Sequence, residues 1–194
     1  MEKSTDSDEQ LMAALQAGRA EALTELHGRY AARLRAFFLR MLGGDAEKAL
    51  DFTQDTFIRI LENPNAFDVQ RRFSTWIYTV ASNLCKNEYR RLAVRKRVDR
   101  PDTDMSRIKG SSGEELARSV DLADFMEELT QALGKLDEDR RTTFILRFQQ
   151  DLSIREIAEI TGVSEGTVKS RLFYITRQLS GQLKHLETLM QTGS

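Results

Sequence analysis

Only two prolines, Pro64 and Pro101, punctuate 194 residues, and this scarcity of helix breakers constrains the chain more than any other feature. On either side of them apolar residues recur at intervals of three and four, the period of an amphipathic helix and not of a strand. Leu11, Met12 and Leu15 open such a stripe behind a cap at Ser7 or Asp8. Leu23, Leu26, Tyr30, Leu34, Phe37 and Met41 form the next, stopping at Gly43-Gly44. A third helix, Asp45 to Glu62, is predicted to bury Leu50, Phe57 and Leu61 and to keep Asp45, Glu47, Asp51 and Asp55 mostly off that face, with Asn63-Pro64-Asn65 as its end. A fourth is predicted to open at Ser74 and to pack through Ile77, Val80 and Leu84. The fold class is all-α.

Periodicity lapses from Asp99 to about Asp121, where Pro101, Gly110, Ser111, Ser112 and Gly113 cluster, and resumes with Leu122, Phe125, Met126, Leu129, Leu133 and Leu136. The chain therefore reads as two small helical domains, 1–98 and 122–194, joined by a flexible linker, 99–121. In the second domain Phe144, Ile145 and Phe148 mark one helix, and Ser153-Ile154-Arg155-Glu156 has the form of a capping box at the start of another. Thr161-Gly162-Val163 then turns the chain and Ser164 caps the last helix, the outline of a helix-turn-helix. Val168, Leu172, Ile175 and Leu179 share the packing side of that helix. Its other side carries Ser170, Phe173, Tyr174 and Arg177, flanked by Thr167, Lys169 and Arg171: hydroxyls, cations and rings suited to phosphates and base edges. Gly166 costs the helix about 1 kcal/mol relative to alanine, which makes sense if backbone must approach something closely.

With 29 Lys and Arg against 30 Asp and Glu, the formal net charge of -1 announces no nucleic-acid partner; the signal has to be local. Lys86 to Arg100 holds seven basic residues against two acids, a local +5, and Ser164 to Lys184 four against one, +3. Glu114 to Asp139 holds two against nine, -7. One cysteine, Cys85, excludes an internal disulfide and a Cys-rich zinc module, and with only His27 and His185 beside it neither a metal site nor a cofactor is expected. A nucleophilic Cys85 would need an orienting base that nothing around it supplies, so it reads as a buried, inert thiol. Met1 to Gln10, with one Lys, four acids and no apolar run, is neither a signal nor a transit peptide. No apolar run approaches the ~20 residues that span a bilayer, so the expectation is a cytoplasmic protein without membrane insertion.

Ile157-Ala158-Glu159 through Gly162-Val163-Ser164, followed by Gly166-Thr167-Val168-Lys169-Ser170-Arg171-Leu172, resembles the fourth domain of bacterial sigma factors. Response-regulator DNA-binding domains carry a similar string, but the first half of the chain separates the two. Phe73-Ser74-Thr75-Trp76-Ile77-Tyr78-Thr79-Val80-Ala81-Ser82-Asn83-Leu84 resembles the signature of the second sigma domain, and Asp51-Phe52-Thr53-Gln54-Asp55-Thr56-Phe57-Ile58-Arg59 resembles the polymerase-binding helix before it. Two signatures in this order over about 180 residues are similar to the extracytoplasmic-function sigma factors.

The resemblance implies a non-catalytic alternative sigma factor that binds core RNA polymerase through its beta and beta' subunits and directs promoter-specific initiation. It implies polymerase docking through Asp51, Gln54, Asp55 and Arg59. It implies recognition and melting of the -10 element by the loop from Asn63 to Arg72 and the following helix, through Asn65, Phe67, Arg72, Asn83, Asn87, Arg90 and Arg91. The family often carries Asp where Asn87 stands. Phe73 and Trp76 read as core by their helical spacing, not as base-stacking rings. Recognition of the -35 element falls to Thr167, Lys169, Ser170, Arg171, Phe173, Tyr174 and Arg177. An anti-sigma factor is a further expected partner, and the linker is expected to thread near the catalytic cleft and RNA exit path. The alternative is a stand-alone helix-turn-helix regulator, which leaves the first 98 residues without a task and would not co-elute with core polymerase.

Overall fold

The computed structural model describes residues 6–98 and 128–182, and every regular element among them is helical. In chain order these are α1 (Asp8–Gln16), α2 (Glu21–Met41), α3 (Ala46–Glu62), a 3-10 turn (Pro64–Ala66), α4 (Phe73–Val98), α5 (128–134), α6 (Glu138–Phe148), α7 (Ile154–Thr161) and α8 (Glu165–Gln182). The expected linker, 99–121, and the apolar residues Leu122, Phe125 and Met126 lie outside the described residues.

Local chemistry sets most of the boundaries. Ser7 accepts from the Gln10 amide while the Gln10 side chain accepts from Ser7, a capping box that starts α1. Gly43 and Gly44 take φ of 69° and 89°, which lets the Gly44 amide reach back to the Leu39 carbonyl at 2.8 Å and closes α2. Asp45 caps α3 through the Lys48 amide at 3.0 Å. The start of α4 is different. It begins at Phe73, one residue before the expected Ser74, and the Phe73 amide donates to the Glu9 carboxylate of α1 at 3.0 Å. A side chain 64 residues away provides a cap that local sequence does not.

The N-terminal core is built from rings. Phe37, Phe38, Phe73 and Tyr78 are fully buried with Met12, Leu26, Leu34 and Ile77, and Phe37–Phe38, Phe37–Tyr78 and Tyr30–Phe73 meet edge to face at centroid separations of 5.5, 5.6 and 5.2 Å. The smaller C-terminal core is aliphatic: Leu133, Ile145, Leu146, Ile157, Ile160, Val168, Ile175 and Leu179. Cys85 is buried as expected, and burial pushes its thiol well above the ordinary value.

Two apolar assignments are corrected. α3 does not bury Leu50 and Leu61, which are 45% and 52% exposed; it buries Ala49, Thr53, Thr56, Phe57 and Ile60. The threonines can face inward because each hydroxyl donates to its own helix, Thr53 to the Ala49 carbonyl and Thr56 to that of Phe52, both at 2.7 Å. In α6, Ile145 is buried but Phe148 is exposed at the helix end, its ring 4.7 Å from that of Phe144.

The two modules touch. α7 lies on α4 and α6 on α2. Between them the buried Gln150 side-chain oxygen accepts from the Tyr78 hydroxyl, and its carbonyl accepts from Arg33 at 3.1 Å. Arg141 donates to the Met41 carbonyl at 3.0 Å and to the Tyr89 hydroxyl at 2.9 Å.

Candidate nucleic-acid interface

Asp51, Gln54, Asp55 and Arg59 are all exposed on α3. The register that uncovers Leu50 and Leu61 also uncovers Ile58, 49% exposed. At 100° per residue, Leu50, Gln54, Ile58 and Leu61 fall within about 80° of arc, beside Asp51 and Asp55. An apolar stripe of this kind, edged by charge and uncovered among the described residues, is the type of surface on which protein contacts form. Leu50 and Leu61, read from the sequence as core, are thus exposed beside Asp51 and Asp55.

The segment 63–72 is held rigidly by α1. The Gln16 side chain donates to the carbonyls of Pro64 and Phe67 at 3.0 and 2.8 Å, Asp68 turns the chain by accepting from the Gln70 amide at 3.0 Å, and Glu9 caps α4 where the segment ends. Asn65 and Arg72 are exposed. Phe67 is not: at 2% exposure it is wedged between Phe73 and Trp76, centroids 5.5 and 5.2 Å away, and shapes the loop from beneath. Its assignment as a base contact is corrected to packing. Phe73 is core, as expected, and Trp76 is half-buried.

Along α4, Asn83, Asn87 and Arg90 are exposed and share one stripe with Trp76 at their head, and Arg91 lies beside it. A buried carboxylate organises the basic end: Glu88 accepts from Arg91 at 2.8 Å and from Lys48 of α3 at 2.8 Å. The Arg91 guanidinium and then the Lys48 ammonium hold the Glu88 carboxyl below the usual range, against its burial.

The helix-turn-helix follows the local sequence closely. Ser153 accepts from the Glu156 amide at 3.2 Å while its own amide and hydroxyl donate to the Glu156 carboxylate at 2.8 and 2.7 Å. Gly162, at φ 71°, ends α7 in the left-handed conformation, and Ser164 caps α8 through the Thr167 amide at 3.1 Å. Val168, Ile175 and Leu179 are buried and Leu172 partly so; Thr167, Lys169, Ser170, Phe173, Tyr174 and Arg177 are exposed. Phe173 and Tyr174 form a T-shaped pair 5.4 Å apart. A Cβ at Gly166 would meet only the Ser164 hydroxyl, at an ordinary 3.7 Å, so nothing described inside the chain requires glycine there. Arg171 departs from expectation. It turns inward to Asp139 of α6 at 2.7 Å and braces the module, which removes it from the exposed set.

A two-module helical chain with a basic helix in one module and a helix-turn-helix in the other is the architecture of a promoter-recognition subunit. Residues 26–95 match Sigma-70 region 2 and residues 126–174 match Sigma-70 region 4. The ECF RNA polymerase sigma factor SigL of Mycobacterium tuberculosis is 33% identical over 171 residues, which cover 88% of this chain and 93% of the relative. EcfG of Rhodopseudomonas palustris, an ECF RNA polymerase sigma factor, is 33% identical over 150 residues, 77% of this chain and 78% of that one. SigW of Bacillus subtilis, another, is 29% identical over 184 residues, 87% and 92%. The fold is that of RpoE from Bartonella quintana, solved in complex with the anti-sigma factor NepR: TM-score 0.67, 23% identity, 83% of this chain and 96% of that one. The chain belongs to the ECF RNA polymerase sigma factors: it is an alternative sigma factor that binds core RNA polymerase and directs promoter recognition. Among the described residues no helix is long and apolar enough to cross a membrane.

Proposed function

We propose a division of the sigma-factor task among three surfaces of this chain. α3 docks on core polymerase, seating Leu50, Ile58 and Leu61 in an apolar contact framed by Asp51, Gln54, Asp55 and Arg59. The rigid segment 63–72 and the stripe Asn83, Asn87, Arg90 and Arg91 take the non-template strand of the -10 element, the segment presenting Asn65 and Arg72. Cationic groups beside polar amides suit a single strand, because charge tracks the backbone while amides meet base edges. α8 enters the major groove of the -35 element with Thr167, Lys169, Ser170, Phe173, Tyr174 and Arg177. The module boundaries are 1–98 and 122–194, and the chain contributes binding and positioning with no covalent step of its own, in the cytoplasm, under an anti-sigma factor as family membership implies.

The observation that carries this reading is the exposed apolar stripe of α3. Among the described residues nothing accounts for the absence of Leu50, Ile58 and Leu61 from the core, whereas a partner that covers them explains both their exposure and the flanking acids. The test is run-off transcription from genomic fragments with purified bacterial core polymerase. New start sites that depend on this chain and vanish with Ile58→Asp or Asp55→Lys are expected. Start sites and core affinity that do not change with either substitution would remove α3 from the docking surface. Gel filtration separates the alternative of a stand-alone regulator, which would bind DNA without co-eluting with polymerase.

A further inference from the structure

The turn that carries Asn65 is held by one side chain from another element. By itself the 3-10 turn Pro64–Ala66 has little to fix it: the Ala66 amide donates to the Asn63 carbonyl at 3.1 Å and the Phe67 amide to that of Pro64 at 3.3 Å, while the Pro64 nitrogen has no hydrogen to give. Gln16, the last residue of α1, reaches the turn from 48 positions away. Its Nε2 donates to the Pro64 carbonyl at 3.0 Å and to the Phe67 carbonyl at 2.8 Å. An amide nitrogen carries two hydrogens, so both are committed to the carbonyls that bracket Asn65 and Ala66. Phe67 anchors one end of the turn through its ring, between Phe73 and Trp76; Gln16 anchors the backbone on both sides of Asn65.

Asn65 itself is exposed, and among the described residues its amide has no partner. Farther along the segment the side chains of Asp68, Arg71 and Arg72 are engaged: Asp68 accepts from the Gln70 amide at 3.0 Å, Arg71 lies 3.8 Å from Glu159 and Arg72 2.6 Å from Glu156. A side-chain amide presents a donor beside an acceptor, the pair that tells one base edge from another, whereas a cation on phosphate carries no sequence information. Such a reader discriminates only if it is held within about 0.5 Å of the productive geometry. A turn with two backbone hydrogen bonds of its own, one of them 3.3 Å long, does not supply that restraint. The forked contact from Gln16 does.

We propose that Gln16 is a positioning residue for base selectivity at the -10 element: without touching DNA, its amide holds the backbone from Pro64 to Phe67 so that Asn65 meets one base edge in a fixed geometry. The proposal rests on the assignment of the segment 63–72 to the -10 element. It separates selectivity from affinity. Contacts of Arg90 and Arg91 to phosphate do not pass through Gln16, so the electrostatic part of binding and its salt dependence stay as they are when the amide is removed.

The test measures binding of fluorescent single-stranded oligonucleotides to holoenzyme assembled from this full-length chain and bacterial core polymerase. The parent oligonucleotide carries the non-template -10 sequence of a start site mapped with this chain, and single-base substitutions scan it. Asn65→Ala first locates the base, as the position at which wild type discriminates and this variant does not. At that position Gln16→Met, which keeps the length of the side chain and removes both donors, is expected to lose roughly fivefold or more of the discrimination, the low end of what one base contact supplies. Discrimination at the other positions, core affinity and the salt dependence of binding should match wild type, which a general loosening of the fold would not allow. The double variant Gln16→Met/Asn65→Ala should bind the parent oligonucleotide as Asn65→Ala does, because the two act through one contact. Wild-type discrimination by Gln16→Met overturns the proposal, as does an equal loss at every position or a further loss of affinity in the double variant. Should Gln16→Met fail to assemble with core polymerase, Gln16→Glu, which has the size of glutamine and no donors, is judged by the same criteria. If no position depends on Asn65, the reading of the segment as a -10 surface fails and the proposal with it; dependence on Asn65 without dependence on Gln16 sinks the positioning role alone.

Discussion

The N-terminal module stabilises itself with rings, the C-terminal module with an arginine. In the first, Tyr30, Phe37, Phe38, Phe67, Phe73 and Tyr78 interlock edge to face around a large core. In the second, a short set of aliphatic side chains is braced by Arg141, which donates to the carbonyls of Leu133, Gly134 and Leu136 at 2.9, 3.0 and 3.0 Å where α5 ends, and to Met41 and Tyr89 of the first module. The last carbonyls of any helix lack partners within it. A small module has little surface to bury, so satisfying those carbonyls with a charged side chain, anchored partly on its larger neighbour, weighs more there than it would in the first.

The comparison can be broken most directly at the rings. Phe37→Ala removes a fully buried ring that contacts two others and is expected to cost about 3–5 kcal/mol in chemical denaturation; a loss below about 1 kcal/mol would show that the aromatic core repacks freely and is not what sustains the module. Next comes the brace. Arg141→Ala is expected to cost roughly 1.5–3 kcal/mol, the range for hydrogen bonds to a charged group, and Arg141→Lys should recover little, since an ammonium cannot fork between α5 and Met41. Full rescue by lysine would mean that charge alone matters and that the fork geometry is incidental.

The smallest effect is a pH dependence at Glu88. Its carboxyl is held below the usual range in the folded chain, by Arg91 first and Lys48 second despite its burial. The unfolded state therefore binds the proton more readily, and the stability this group contributes is fully present above the ordinary carboxylate range and is lost as pH falls through it toward the depressed folded value. Its slope is at most about 1.4 kcal/mol per pH unit. Denaturation followed from pH 7 to pH 3 should show this loss in wild type and a shallower one in Glu88→Gln; identical profiles would assign the acid sensitivity to other carboxylates.

Helix existence, the helix-turn-helix and its caps were legible because each depends on neighbours a few residues away. Ser153 and Glu156 are three apart, Gly162 sits where the left-handed turn falls, and Ser164 reaches Thr167. Which way a helix faces was less legible. In α3, leucines at 50 and 61 suggested the core face, yet threonines took it by bonding to their own backbone. Phe67, in a loop with no periodicity, gave no sign that Phe73 and Trp76 would enclose it, and Arg171, inside a basic stretch, gave none that Asp139 would draw it inward.

Sequence by itself determined the helical class, the turn and caps of the helix-turn-helix and the family, because periodicity, capping and short signatures are properties of residues within a few turns of one another. Only the tertiary structure decided that Leu50, Ile58 and Leu61 face outward, that Glu9 caps α4 and that Gln150, Arg141, Glu156 and Glu159 join the modules. Those contacts link residues from 52 to 117 positions apart, apart from the orientation of α3. At such separations no local pattern names the partner; the shape of both packed surfaces does.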